Sequence, residues 1–251
     1  MVCLPAWLCK FLTPEWLTAI GTIGAVALAL FLALCGPYIL RWQFQPKLRL
    51  RARVQRPDAD KVSRTARIEN LIVDLGESWY FRLAISNDGN DAARDAQVFL
   101  ARVERKFGQR TEKVGRFTPM NLKWTNTDDE QTSRDRVTRP VLLPDTPEVY
   151  CDLVHICDPA TREQQGEDLD TVEPGKGVLG LDVQVATYSK GHLLEPGTYL
   201  FYLTIAASNC RSIHHVLEVS YSGKWSRDEE EMFRELRMMP PILAKRGPAD
   251  D

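Results

Sequence analysis

Between Leu17 and Leu40 the chain reads LTAIGTIGAVALALFLALCGPYIL, a stretch with no charged residue. Roughly 20 apolar residues rising about 1.5 Å each cross a hydrocarbon core of about 30 Å, so this run is long enough to be a transmembrane helix. Trp16 at one end and Tyr38 with Trp42 at the other occupy positions where amphipathic rings favour the headgroup region. Gly36-Pro37 falls near the far end, where a helix break is tolerable. A cleaved signal peptide would need a basic start, a shorter apolar core and a small-residue cleavage site. Here only Lys10 and the amino terminus are positive before the run, and bulky Tyr38, Ile39 and Leu40 close it.

Arg41, Lys47, Arg49, Arg51, Arg53 and Arg56 follow the run, and Lys and Arg beside a span are retained on the cytoplasmic side. The expectation is a short outer N-terminal flank (1–16), a span (17–40), a basic connector (41–47) and a cytoplasmic C-terminal domain, in a prokaryotic inner or plasma membrane. Cys3, Cys9 and Cys35 belong to the anchor region, leaving Cys151, Cys157 and Cys210 for a domain large enough to build a core without disulfides. Reduced thiols are expected. Within the span, Gly21, Ala25, Ala29 and Ala33 recur every four residues and place small side chains in one stripe, which predicts self-association into a homo-oligomer.

After the span the periodicity changes to two. In LRLRARV, Leu48, Leu50, Ala52 and Val54 alternate with Arg49, Arg51 and Arg53, the pattern of a half-buried strand. With Arg41 and Lys47, these arginines form a candidate contact with the surface of the lipid bilayer, worth roughly 1 kcal/mol per residue where the surface is anionic. SWYFRLAIS, QVFLARVERKF, PEVYCDLVHIC, VLGLDVQVATY, GTYLFYLTIAAS and SIHHVLEVSY each read as strands, separated by Asn, Gly, Pro and acidic turns. Seven or more short strands with no long amphipathic helix between them predict a mainly β domain over 48–222, an antiparallel sandwich. Two stretches exceed a minimal sandwich, residues 108–147 and 158–176, and are expected to be long loops or insertions. The first holds Trp124 in polar surroundings, a candidate partner contact or a plug for the end of the sandwich. In the C-terminal segment (223–251), Ser226 and Glu229 form an S-x-x-E capping box before a short helix bearing Met232, Phe233, Leu236 and Met239, which Pro240-Pro241 stops.

YFRLAISNDGNDAARDAQVFL is similar to the strand, Asn/Gly turn, small-residue stretch and strand of bacterial immunoglobulin-like sandwich modules. EPGTYLFYLTIAAS resembles their penultimate strand, with Pro196, Gly197 and Tyr199 at a Pro-Gly-x-Tyr corner. The general resemblance is to prokaryotic single-pass membrane proteins with an immunoglobulin-like β-sandwich. It implies a corner hydrogen bond from the Tyr199 hydroxyl and brings no catalytic residues with it.

Chemistry is sparsely written. The G-x-G-x-x-G spacing of Gly175, Gly177 and Gly180 follows an acidic loop and precedes a strand, the wrong context for a dinucleotide fingerprint. P-loop, G-x-S-x-G and H-E-x-x-H patterns are absent from the sequence. Cys151 with His155, and Cys210 with His214, would share strand faces and offer two thiolates and two imidazoles to zinc, but C-x3-H is not a usual zinc spacing. Neither a metal nor another cofactor is expected. Acidic residues are scattered without a carboxylate pair, and a net charge of −2 with one basic segment beside the bilayer argues against nucleic acid. The leading expectation is a non-enzymatic, membrane-anchored recognition domain for a protein or small ligand. The alternative is a membrane-perturbing effector of a bacterial stress or antiphage response, gated by the soluble domain; a hydrolase with a site assembled from loops is a third.

Overall fold

The computed structural model describes residues 14–68, 71–125 and 136–244. It divides into two compact units, one ending at Gln45 and one beginning at Pro46. In the first, helix α1 (Pro14–Gln43) contains a segment, Thr18–Gly36, long and apolar enough to cross a membrane. Pro37 forfeits one helical hydrogen bond, yet α1 continues beyond it to Gln43.

The second unit is built from two antiparallel sheets. Sheet one runs β1 (Leu48–Ala52), β3 (Leu71–Asn87), β8 (Val149–Cys157), β9 (Leu179–Leu181) and β10 (Leu193–Leu194), with β2 (Ala59–Ile68) also on β3. Sheet two runs β13 (Leu236–Met238), β12 (Ile213–Tyr221), β11 (Gly197–Ala206), β4 (Ala93–Phe107) and β5 (Arg110–Lys113). Against it lie β6 (Met120–Asn121) and β7 (Arg139–Leu142), both on β4, and β14 (Ile242–Leu243) on β12. The alternation expected for β3 is present: Trp79, Phe81, Leu83 and Ile85 are buried. They join one core with Val98, Leu100 and Val103 of β4, Phe201, Leu203 and Ile205 of β11, and Leu217 and Val219 of β12.

Register shifts interrupt the pairing of β2 on β3 between Arg64 and Thr65 and occur at two further bulges, each of which inserts one residue and reverses which side chains face inward. Tyr202 pairs with Arg102 but Leu203 pairs with Leu100, so Ala101 is extra and the inward set passes from Val98 and Leu100 to Val103. Phe81 pairs with Val154 but Arg82 pairs with Asp152, so Leu153 is extra.

Both expected insertions are structured where described. Residues 110–113, 120–121 and 139–142 of the first dock on β4 as β5, β6 and β7; residues 126–135 lie outside the described residues. The segment after β6 changes sheets. Asn121 pairs with Phe99 in sheet two, and Trp124 then bridges to Cys151 in sheet one. Trp124 is 2% exposed and its indole Nε1 donates to Val137 O at 3.1 Å. The candidate partner contact is thereby corrected: Trp124 fills the interior where this strand crosses and presents no surface.

The 158–176 excursion is held together by Arg162, which is buried and donates to the carbonyls of Val172 (2.9 Å) and Lys176 (2.7 Å) and to Asp168 (2.9 Å). Leu169, Val172, Val178 and Leu193 form a small apolar cluster with it.

The C-terminal helix α2 (Glu229–Glu235) is shorter than expected. Its cap is Asp228, whose side chain accepts from Glu231 N, while the Ser226 hydroxyl accepts from Asp228 N instead of closing the anticipated box with Glu229. Leu236 ends the helix, its N–H still donating to Met232 O, and starts β13, where it pairs with Tyr221 in sheet two. Met232 and Leu236 are buried and Phe233 packs edge-on against Trp79, whereas Met239 is 56% exposed. β13 and β14 therefore extend sheet two past residue 222.

Candidate functional site

The bulge at Leu153 decides what the outer face of sheet one carries. Before it, Cys151 pairs with inward Leu83; after it, His155 pairs with Tyr80 and faces away from the core. Cys151 and His155 therefore do not share a face. Cys210 lies in the turn before β12, and His214 Nδ1 is 2.9 Å from Thr204 Oγ1. Among the described residues no group of three or more His, Cys, Asp or Glu is arranged to hold a metal ion, and Cys35, Cys151, Cys157 and Cys210 are free.

His155 instead anchors a buried ionic cluster. Its Nδ1 is 2.9 Å from Asp182 Oδ2, just beyond β9, and its Nε2 is 2.7 Å from Glu167 Oε1, in the 158–176 excursion. Arg64 of β2 donates to the same Glu167 oxygen at 2.5 Å and to Gln165 Oε1 at 2.8 Å. The Tyr80 ring stacks on the imidazole with centroids 5.3 Å apart. Gly180, the β9 residue opposite His155, has no side chain, and a Cβ there would stand 2.6 Å from Nε2. Beside the cluster, Asp152 accepts from Arg82 Nε at 3.1 Å and from Thr125 Oγ1 at 2.7 Å.

The electrostatics follow from burial and pairing. Burial opposes a charge on His155, but Asp182 and Glu167 outweigh it and lift the imidazole to about 10. Burial likewise opposes charge on Glu167, and His155 with Arg64 overcomes it, bringing the carboxyl down to about 2. At neutral pH the site holds an imidazolium whose two nitrogens both donate. Burial and then Asp182 push Asp152 up to about 6, and burial raises the Tyr80 hydroxyl and the Cys157 thiol.

A cleft of about 380 Å³ opens over this cluster. Arg64, His155, Glu167 and Asp182 line it together with Lys123 of the crossing strand and Tyr188, Lys190 and His192 of the loop after β9. Sequence reasoning missed this site, because its ligating groups come from separate elements. One signal was present: Asp182 stands alone in the apolar run VLGLDVQV.

The anticipated site residues lie elsewhere. Gly21, Ala25, Ala29 and Ala33 are all exposed on α1. Arg51 is engaged by Glu148 and by Asp58 at 3.2 Å, and Arg49 approaches Asp88 at 3.4 Å. Arg53 and Lys47 are exposed; the Arg41 side chain lies outside the described residues. The basic strand is thus partly neutralised by its own domain. The G-x-G-x-x-G glycines serve the fold: Gly175 takes a left-handed φ of +84°, while Gly177 packs against the Tyr221 hydroxyl and Gly180 against His155. Tyr199 does make the corner bond, its hydroxyl donating to Glu195 O at 2.8 Å.

No family model, curated protein or solved structure matches the chain.

Proposed function

We propose that this is a non-enzymatic, single-pass membrane protein whose β domain, an immunoglobulin-like sandwich on the cytoplasmic side, recognises a ligand in the cleft over His155. The cleft carries the reading. It is concave, lies within the size range of small-molecule sites and combines fixed charges with an aromatic rim. The buried pair beneath it, His155 and Glu167, is locked in contact with each other and with Asp182 and Arg64. An imidazolium lifted to about 10 is no proton acceptor at neutral pH, and thiols raised by burial are no nucleophiles. The Tyr199 corner and the two-sheet core support the immunoglobulin-like reading. The apolar helix with its stripe of Gly21, Ala25, Ala29 and Ala33 supports anchoring and self-association.

The test uses the full chain in detergent micelles and a fragment library read by saturation-transfer NMR. Hits that weaken in a Tyr188→Ala, His192→Ala variant support recognition at the cleft. A library giving no hit, or hits indifferent to both changes, rejects it. Reporter fusions at the two ends test the orientation, and an outer C-terminus would overturn that part.

A further inference from the structure

Four cationic groups line the cleft, and its own carboxylates match only two of them. His155 and Arg64 are neutralised by Glu167 and Asp182 through contacts of 2.5, 2.7 and 2.9 Å. Lys123 and Lys190 have no carboxylate partner among the described residues; the Lys190 ammonium donates to the backbone oxygen of Asp168 at 2.6 Å. His192, the remaining base, is kept below its ordinary value by burial and by the nearby His155, and is neutral at neutral pH. The cleft therefore carries a surplus of two positive charges in a chain whose net charge is −2. Low-dielectric walls concentrate such a field.

The second observation concerns the rim. Tyr188 lines the same cleft, yet its exposure is 105% of the reference value for an isolated residue. Soluble domains ordinarily cover much of so large an apolar ring, which gains about 0.5–1.5 kcal/mol beyond area burial when it meets another aromatic. Here the ring stands free beside a charged basin.

The geometry points to a binding site for a small phosphate monoester, with its dianionic head neutralised by Lys123 and Lys190 and its organic part stacked on Tyr188. Two unmatched ammonium groups equal the charge of one phosphate monoester dianion, and lysine binds phosphate as a point charge without demanding a bidentate fork. The imidazolium beneath is an immobile part of the field, since both of its nitrogens are occupied. This assignment rests on the cleft being the recognition site and adds the ligand class.

Calorimetric titration of the full chain in detergent micelles tests it, with inorganic phosphate, phenyl phosphate and phenol as probes. Phenyl phosphate should bind saturably and more tightly than phosphate, and phenol should not bind. Lys123→Met with Lys190→Met should weaken phenyl phosphate by about a hundredfold, a factor of about ten for each charge-assisted contact. Tyr188→Ala should reduce phenyl phosphate to the affinity of phosphate. Unchanged thermal midpoints show that the variants are folded. Equal binding to wild type and the double lysine variant overturns the proposal. Failure of both phosphates to bind, while fragments still occupy the cleft, overturns the phosphate class and leaves recognition standing; failure of every probe and fragment removes both.

Discussion

Gly180 lies opposite His155 across the β9–β8 pair, so close that the first carbon of any side chain would meet the imidazole Nε2 at 2.6 Å. The ring is already stacked on Tyr80 and tied at both nitrogens, so it has nowhere to move. Gly180→Ala is expected to destabilise the domain by about 1–3 kcal/mol, the usual range for overpacking. Chemical denaturation should show this as a lower midpoint, and an unchanged midpoint would mean that the ring yields.

Removing the cation should cost more. In His155→Gln, Glu167 and Asp182 face a buried space without their shared positive partner, and breaking such a pair costs about 3–5 kcal/mol. Replacing Asp182 as well, with Asp182→Asn, should recover much of the loss, since Glu167 keeps Arg64 as its partner and Asp182 no longer carries an uncompensated charge. Urea melts of the single and double variants provide the comparison.

The same cluster sets a pH dependence. His155 is raised from 6.5 to about 10, so its stabilisation is complete below pH 6.5 and is lost as the pH climbs toward 10. Glu167 is lowered from 4.5 to about 2, so its share is complete above pH 4.5 and is lost as the pH falls toward 2. Asp152, raised to about 6, works in the opposite sense on the acid side, which makes the alkaline limb the cleaner readout. The denaturant midpoint of the wild type should fall between pH 7 and 10 more steeply than that of His155→Gln; parallel curves would remove His155 as the cause.

Arg162 organises the excursion that delivers Glu167. Arg162→Ala leaves the carbonyls of Val172 and Lys176 without their donor, and each lost charged hydrogen bond is worth about 1.5–3 kcal/mol. Limited proteolysis should then cut within residues 158–176 well before the sheets yield. Cleavage at the wild-type rate would show that the apolar cluster around Leu169 suffices.

In the span, Ala25→Ile together with Ala29→Ile should block close helix approach and abolish self-association in a membrane reporter assay. Undiminished association would assign assembly to another surface.

The sequence exposes what depends on local pattern. Alternating Trp79, Phe81, Leu83 and Ile85 mark an inward face, and Pro196-Gly197 with Tyr199 marks the corner. It conceals what depends on a one-residue slip. Nothing around Leu153 announces a bulge, so Cys151 and His155 look like neighbours on one face although pairing with β3 turns them apart. The candidate site is hidden for a related reason. Glu167 and Asp182 lie 12 and 27 residues beyond His155, and only the folding of an excursion and a second strand brings them to its ring.

The segment from Met120 to Thr125 hydrogen-bonds first to β4 and then to β8. Because one segment bonds to both sheets, separating the sheets requires breaking its hydrogen bonds to one of them. Lys123 sits on that segment between buried Leu122 and Trp124. The cleft-lining Lys123 is thereby carried by a segment that is bonded to both sheets.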